Sequence, residues 1–241
     1  MKTILITRPS REVESLAALL AAKGFTPFAE PLLRIEPLPE NMPLLEAALL
    51  HKPQAIIATS KRGVESLTAL AATRSIPLLC VGTATAEYAA SVGYGNAHEC
   101  ETAQAIPDLV RRHCTPGAYP LLYARGQDIS IDITALLEHA GFAVDSVILY
   151  RAIAAQAFSA SLRSFLTDGN IAGALFFSQR TAEIYATLAN QHRLADAHHA
   201  MSAVCMSRTV AGKLAGISWR KVHIAKKPDM PHMLEATAAA F

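Results

Sequence analysis

Short polar turns carrying Ser, Thr, Gly and Arg recur along this chain, each where an apolar run ends and a helical pattern begins. They are Ser60-Lys61-Arg62-Gly63, Gly82-Thr83-Ala84-Thr85, Arg125-Gly126-Gln127, Ser178-Gln179-Arg180 and Ser207-Arg208-Thr209, with Arg8 beside a further one. A turn of this kind leaves the first N–H groups of the following helix unpaired and directs the positive end of its dipole outward. Such an end holds anions, and a neighbouring arginine adds bidentate contacts to carboxylate or phosphate. Taken singly, Ser60, Ser178 and Ser207 are helix caps and each arginine is a solvated charge. Repetition changes the reading. With Arg8, Arg62, Arg125, Arg180 and Arg208 in turn after turn, the pattern points to an anionic ligand. One more group could do chemistry: Tyr150, at the centre of Val147-Ile148-Leu149-Tyr150-Arg151-Ala152-Ile153. A phenol holds its proton at neutral pH and can donate it; the plainer reading is a strand tyrosine packing its ring.

The elements that must position these groups follow from hydrophobic periodicity. Thr3 to Thr7 predicts a strand, and Ser10 to Lys23 a helix with Val13, Leu16, Ala17, Leu19 and Leu20 on one stripe. Gly24 ends that helix in a left-handed conformation, and Phe25 to Glu30 is a second strand. Three prolines, Pro31, Pro37 and Pro39, around Leu32-Leu33-Arg34-Ile35 remove too many donors for a central strand and predict an extended edge or linker. Met42 to His51 reads as a helix, Gln54 to Thr59 as a strand, Val64 to Ala72 as a helix, and Leu78 to Val81 as a strand followed by a helix to about Ser91. Leu121 to Ala124 is a strand, Arg125-Gly126-Gln127 a loop, and Ile131 to His139 a helix closed by Gly141. Ala174 to Phe177 and Ser202 to Met206 are strands with helices behind them, and Lys221 to Ala225 leads to a final helix. Six alternations of strand, polar turn and helix predict α/β architecture with parallel sheets.

The units repeat. Arg8 and Arg125 are 117 positions apart, as are Gly24 and Gly141, Phe25 and Phe142, and Arg34 and Arg151. Ser60-Lys61-Arg62 falls on Ser178-Gln179-Arg180 at an offset of 118, and Cys80 on Cys205 at 125. The chain is therefore read as a duplicated three-unit module. Two such modules facing each other would make a cleft, and parallel sheets bind ligands at the carboxyl ends of their strands.

Composition removes other classes. A net charge of +2 with scattered Lys and Arg, and only 6% aromatic residues, argues against a nucleic-acid binder. Cys80, Cys100, Cys114 and Cys205 form no C-x-x-C pair and read as buried small hydrophobes in a reducing compartment. No apolar stretch approaches a membrane span, and the start of the chain has too short an apolar run for a secretory signal, so the expectation is a cytoplasmic protein without membrane contact. Gly93-Tyr94-Gly95 follows a helix and is no dinucleotide fingerprint, and neither a P-loop nor a G-x-S-x-G is present. His192, His198 and His199 read as a polar loop, and no metal site is expected.

Ile4-Leu5-Ile6-Thr7-Arg8-Pro9, Thr59-Ser60-Lys61-Arg62-Gly63-Val64, Val81-Gly82 with Thr85-Ala86, and Leu149-Tyr150-Arg151, in this order and spacing, resemble uroporphyrinogen-III synthase over the whole chain. The resemblance implies two similar flavodoxin-like parallel-sheet domains, facing across a cleft and joined by a two-strand extended linker. One domain would combine residues 1–30 with 155–241, the other would be 40–146, and 31–39 and 147–154 would be the connectors. Without the resemblance, the sequence alone places the cut near Pro116, so the discontinuous arrangement is what the resemblance implies. The implied reaction is a cofactor-free, cyclising hydro-lyase step, a carbon–oxygen lyase reaction in tetrapyrrole (haem) biosynthesis. Linear hydroxymethylbilane, with its eight carboxylates, closes with loss of water and inversion of its terminal ring. By this likeness Tyr150 is the hydrogen-bond donor or acid to the departing hydroxyl, while Ser60, Arg62, Thr85, Ser178, Ser207 and Thr209 contact acetate and propionate groups; Arg8 and Arg125 join that set from their own turns. The implied protein is a monomer that meets, transiently, the enzyme supplying its substrate. From a different class, a non-catalytic two-lobe sensor of an anionic metabolite would also fit paired α/β lobes.

Overall fold

The computed structural model describes residues 1–241, the side chains of Ser10, Arg11 and Glu12 excepted. In chain order the elements are β1 (Lys2–Ile6), α1 (Ser10–Ala22), β2 (Phe25–Ala29), β3 (Leu33–Pro37), α2 (Met42–Leu50), β4 (Ile56–Ala58), α3 (Lys61–Leu67), β5 (Leu78–Val81) and α4 (Thr83–Ser91). They continue as β6 (Ala97–Cys100), α5 (Ile106–His113), β7 (Leu121–Gly126), α6 (Ile133–His139), β8 (Val144–Ala154), α7 (Ala160–Thr167), β9 (Gly173–Phe176), α8 (Gln179–Gln191), β10 (Ser202–Cys205), α9 (Arg208–Gly212), β11 (Lys221–Ile224) and α10 (Met230–Ala240). Two compact units result, one of Met1–Arg34 with Ile153–Phe241 and one of Ile35–Ala152.

The first unit holds a five-stranded sheet in the order β11-β10-β9-β1-β2, and the other sheet runs β3-β8-β7-β4-β5-β6. Every pairing between β1, β2, β9, β10 and β11 is parallel, as are those linking β4, β5, β6, β7 and β8. Read through the internal repeat, β7 and β8 stand for β1 and β2, and β4, β5 and β6 stand for β9, β10 and β11. Both sheets then share the flavodoxin-like order 2-1-3-4-5, with β3 added beside β8. The duplication seen in the residues is thus a duplication of topology.

Strand residues alternate between two apolar layers, as a sheet covered on both faces requires. In β1, Leu5 packs on one side of its sheet while Ile4 and Ile6 pack on the other. Ile56 and Ala58 of β4 likewise oppose Ile57, and Leu122 and Ala124 of β7 oppose Leu121 and Tyr123. Burying each of these leucine and isoleucine side chains stabilises the fold by about 1.5–3 kcal/mol. Gly24 (φ 82) and Gly141 (φ 88) occupy the left-handed positions after α1 and α6, as the sequence predicts.

Several expectations need correction. Leu19 is 42% exposed, because it lies off the stripe carried by Leu16 and Leu20. Lys61 belongs to α3, not to a preceding turn, since Ser60 is already in cap position, and the helix ends at Leu67 rather than Ala72. Arg125 and Gly126 continue β7 instead of forming a loop. The strand β6 and the helices α5 and α7 lie in stretches where no element is predicted. Among the described residues, β1α1, β9α8, β10α9 and β11α10 stand against β4α3, β5α4, β6α5 and β7α6, so each copy holds four strand–helix units and not three. Cys80, Cys114 and Cys205 are buried and Cys100 only partly so; burial pushes the Cys80 and Cys205 thiols up to about 12. No helix among the described residues is long and apolar enough to cross a membrane.

His198 departs furthest from its sequence reading. Far from lying in a solvated loop, it is fully buried. Its Nδ1 donates to the Leu194 carbonyl at 2.8 Å, which leaves Nε2 to accept from the Tyr185 hydroxyl at 2.7 Å. Burial holds this imidazole below its ordinary value. The unfolded chain takes up a proton on His198 below about pH 6.5, whereas the folded chain resists it. Its contribution to stability is therefore complete above about pH 6.5 and lost as pH falls towards the depressed folded value. Unfolding free energy measured by denaturant titration from pH 7.5 to 5 should fall in the wild type and fall less steeply in His198→Gln; parallel slopes would contradict this assignment.

Candidate functional site

In a 2-1-3-4-5 sheet the strand order reverses beside its first strand, and the crevice at the carboxyl ends of the strands there is where ligands bind. In the Ile35–Ala152 unit those neighbours are β4 and β7. Thr59 and Ser60 leave the end of β4, and Gly126 ends β7. A pocket of about 90 Å³ opens at this point, with Thr59, Tyr123, Gly126, Asp128, Ser130 and Tyr150 among its lining residues.

Ser60 has extended backbone (φ −158, ψ 158), which lets its Oγ fold over the start of α3 and accept the Gly63 N–H at 3.2 Å. Gly63 permits the helix to sit close on β7, because a Cβ there would meet the Ala124 carbonyl oxygen at 2.9 Å. The same Ser60 Oγ lies 2.8 Å from the Tyr150 hydroxyl. Tyr150 comes from β8, where the β7–β8 register shifts between Arg125 and Gly126 and brings it opposite Gly126. Beside it Tyr123 is 2% exposed. Burial pushes the Tyr123 phenol up, and the Thr59 hydroxyl is its hydrogen-bond partner.

The other turn residues hold local structure. Arg62 pairs with Glu65 one turn along α3 at 2.9 Å. Thr85 is buried in the first turn of α4, its N–H bonded to the Gly82 carbonyl at 3.0 Å. Arg125 donates to Ser146 Oγ at 2.8 Å and to the Gly126 and Gln127 carbonyls at 3.0 and 3.3 Å, tying the end of β7 to β8. In the other unit Ser178 caps α8 through the Thr181 N–H and pairs with the Thr181 hydroxyl at 2.8 Å. Ser207 caps α9 through the Val210 N–H, with its Oγ 2.8 Å from the Thr209 hydroxyl. The Arg8 guanidinium lies 4.5 Å from the centre of the Phe177 ring.

Of the residues singled out from the sequence, the structure brings Ser60 and Tyr150 into contact from separate elements, and Ser207 and Thr209 within one turn. Thr59, Tyr123 and Gly126 belong beside Ser60 and Tyr150, though the sequence singles out none of the three as a site residue. Tyr123 sits in an apolar run and reads as core, and Gly126 reads as a loop residue. Among the described residues no group of His, Cys, Asp or Glu is placed to hold a metal ion.

A family model described as uroporphyrinogen-III synthase HemD matches residues 14–235. The chain belongs to the uroporphyrinogen-III synthase family. Membership makes it an enzyme of tetrapyrrole synthesis, in the route to haem, with a small tetrapyrrole as substrate. Two solved structures share the uroporphyrinogen-III synthase fold. That of uroporphyrinogen-III synthetase from Helicobacter pylori is 17% identical, covers 100% of both chains and superposes with a TM-score of 0.64. A mutant uroporphyrinogen III synthase from Thermus thermophilus is 18% identical, with 100% of this chain and 98% of that chain covered and a TM-score of 0.60. No curated protein matches significantly.

In a uroporphyrinogen-III synthase built this way, the capping serines carry a measurable share of local stability. Replacing Ser178 by Ala should lower unfolding free energy by about 1 kcal/mol, the usual cost of a lost N-cap. Chemical denaturation checks this, and an unchanged midpoint would show that the hydroxyl does not cap.

Proposed function

We propose that the chain carries out a cofactor-independent carbon–oxygen lyase reaction, with Tyr150 as the acid. Hydroxymethylbilane loses its terminal hydroxyl as the C–O bond breaks; the electron pair of that bond leaves with oxygen, which takes the phenolic proton of Tyr150 and departs as water. A pyrrole nitrogen supplies the electrons and becomes part of a cationic azafulvene. The last ring attacks this cation at its substituted carbon, giving a spiro intermediate whose fragmentation and reclosure invert that ring. The proton lost when the macrocycle regains its aromatic pyrrole restores the balance.

The observation that carries this reading is the 2.8 Å contact of the Tyr150 and Ser60 hydroxyls beside the pocket at the strand-order reversal. Ser60 already accepts from Gly63 N–H and can donate its own proton to the phenolic oxygen, which supports the charge left on Tyr150 once its proton has gone. In the same reading Arg8, Arg62, Thr85, Arg125, Ser178, Ser207 and Thr209 engage the substrate's carboxylates. The local pairings of Arg62 and Arg125 hold those guanidinium groups in place at the start of α3 and the end of β7. The substrate can close without inversion unaided, so holding its ends in one geometry is most of the work. Its setting is the cytoplasm, as a monomer fed by the enzyme that makes hydroxymethylbilane.

Purified protein mixed with hydroxymethylbilane, and no added cofactor, should yield the type III isomer. The type I isomer alone would leave only a binder of anionic metabolites. Tyr150→Phe should lower kcat roughly 10²-fold, the lower end of what a placed acid contributes, while the circular dichroism spectrum is kept. Unchanged kcat would remove the acid role.

A further inference from the structure

Tyr150 is held at three points. Its backbone carbonyl accepts the Gln127 N–H at 2.8 Å, its hydroxyl meets Ser60 Oγ, and its ring lies against the backbone of Gly126. A Cβ placed on Gly126 would lie 2.7 Å from Tyr150 Cε2, 2.9 Å from Cζ and 3.1 Å from the hydroxyl oxygen. The phenol end of the tyrosine therefore occupies the space that any side chain at 126 would fill. Gly126 is the last residue of β7, and the register shift that sets it opposite Tyr150 falls immediately before it. Its φ lies outside the left-handed range, for only Gly24, Gly82, Gly93, Gly117, Gly141 and Gly169 have positive φ among the described glycines. Backbone conformation thus gives no reason for glycine here. The missing side chain does.

We propose that Gly126 is a positioning residue for the reaction, the seat that fixes the Tyr150 hydroxyl against Ser60 at the pocket. The proposal rests on the acid role given to Tyr150 above. The collision created by alanine would fall on the far end of a side chain and not on backbone, and that end can give way at the cost of its contact with Ser60. Gly63 and Gly173 differ, since a Cβ at either would meet backbone oxygen, of Ala124 at 2.9 Å and of Ser202 at 2.5 Å. Gly126→Ala is accordingly expected to fold and to displace the phenol by about 1 Å, and displacements of that size cost up to about 10²-fold in rate.

The test is a double-mutant cycle with the full-length chain and hydroxymethylbilane, comparing wild type, G126A, Y150F and the double variant. G126A should reduce kcat roughly ten- to hundredfold with KM near that of the wild type. The double variant should be no slower than Y150F, because a displaced hydroxyl and an absent one are the same loss. If Y150F turns over like the wild type, the acid role fails and this proposal with it. If Y150F is slow while G126A matches the wild type, or G126A slows Y150F by a further equal factor, the acid role stands and Gly126 does not position it. Should G126A not accumulate as folded protein, NMR of the wild type decides. A ring-current shift of a Gly126 α-proton that disappears in Tyr150→Leu supports the seat, and its absence overturns it.

Discussion

The contact between the hydroxyls of Ser60 and Tyr150 is the constraint on which the account depends, because it joins three independent features of the fold. Ser60 is where it is because α3 must be capped as the chain leaves β4. Tyr150 is where it is because β8 pairs with β7 through an irregular register. The strand that leads to Ser60 and the strand that ends at Gly126 are neighbours because β4 and β7 pair in parallel, Ile56 with Leu122 through Ala58 with Ala124. Removing any one of these separates the hydroxyls.

Duplication of a module does not duplicate its chemistry. At the offset of 117, Tyr150 corresponds to Leu33, Tyr123 to Ile6 and Gly126 to Pro9, and at 118 Thr59 corresponds to Phe177. Leu33 is 9% exposed and Ile6 wholly buried. The first copy thus puts apolar side chains where the second has phenols and hydroxyls. Both copies keep the capping serine, at Ser60 and Ser178, since both must start a helix at that place. Helix initiation was retained in both halves, while the phenols stand in one.

Much of the architecture was legible in the residues. Buried parallel strands such as Ile4-Leu5-Ile6 and Leu121-Leu122-Tyr123 are continuous apolar runs, and Gly24 and Gly141 announce helix ends through the φ they permit. The β6 strand was hidden because Ala97-His98-Glu99-Cys100 is a half-exposed edge without an apolar run. In α5 the residues Ile106, Leu109 and Val110 do form a buried stripe, but a helix of this length gives a short periodic signal with a proline inside its first turn. His198 reads as polar loop because its partner Tyr185 lies 13 residues away on α8, a distance at which no local pattern reports a hydrogen bond. The site shows the same limit more sharply. Ser60 and Tyr150 stand out one at a time, but 90 positions separate them, and their meeting follows from sheet order and register, which only the folded chain displays.

Proton delivery by Tyr150 is tested most directly by changing the leaving group instead of the protein. A bilane whose terminal hydroxyl is acetylated loses acetate, which departs without a proton. Measured as the rate of type III product in single turnovers, the deficit of Tyr150→Phe relative to wild type should be large with hydroxymethylbilane and close to one with the acetylated substrate. A deficit of equal size with both substrates would contradict the account.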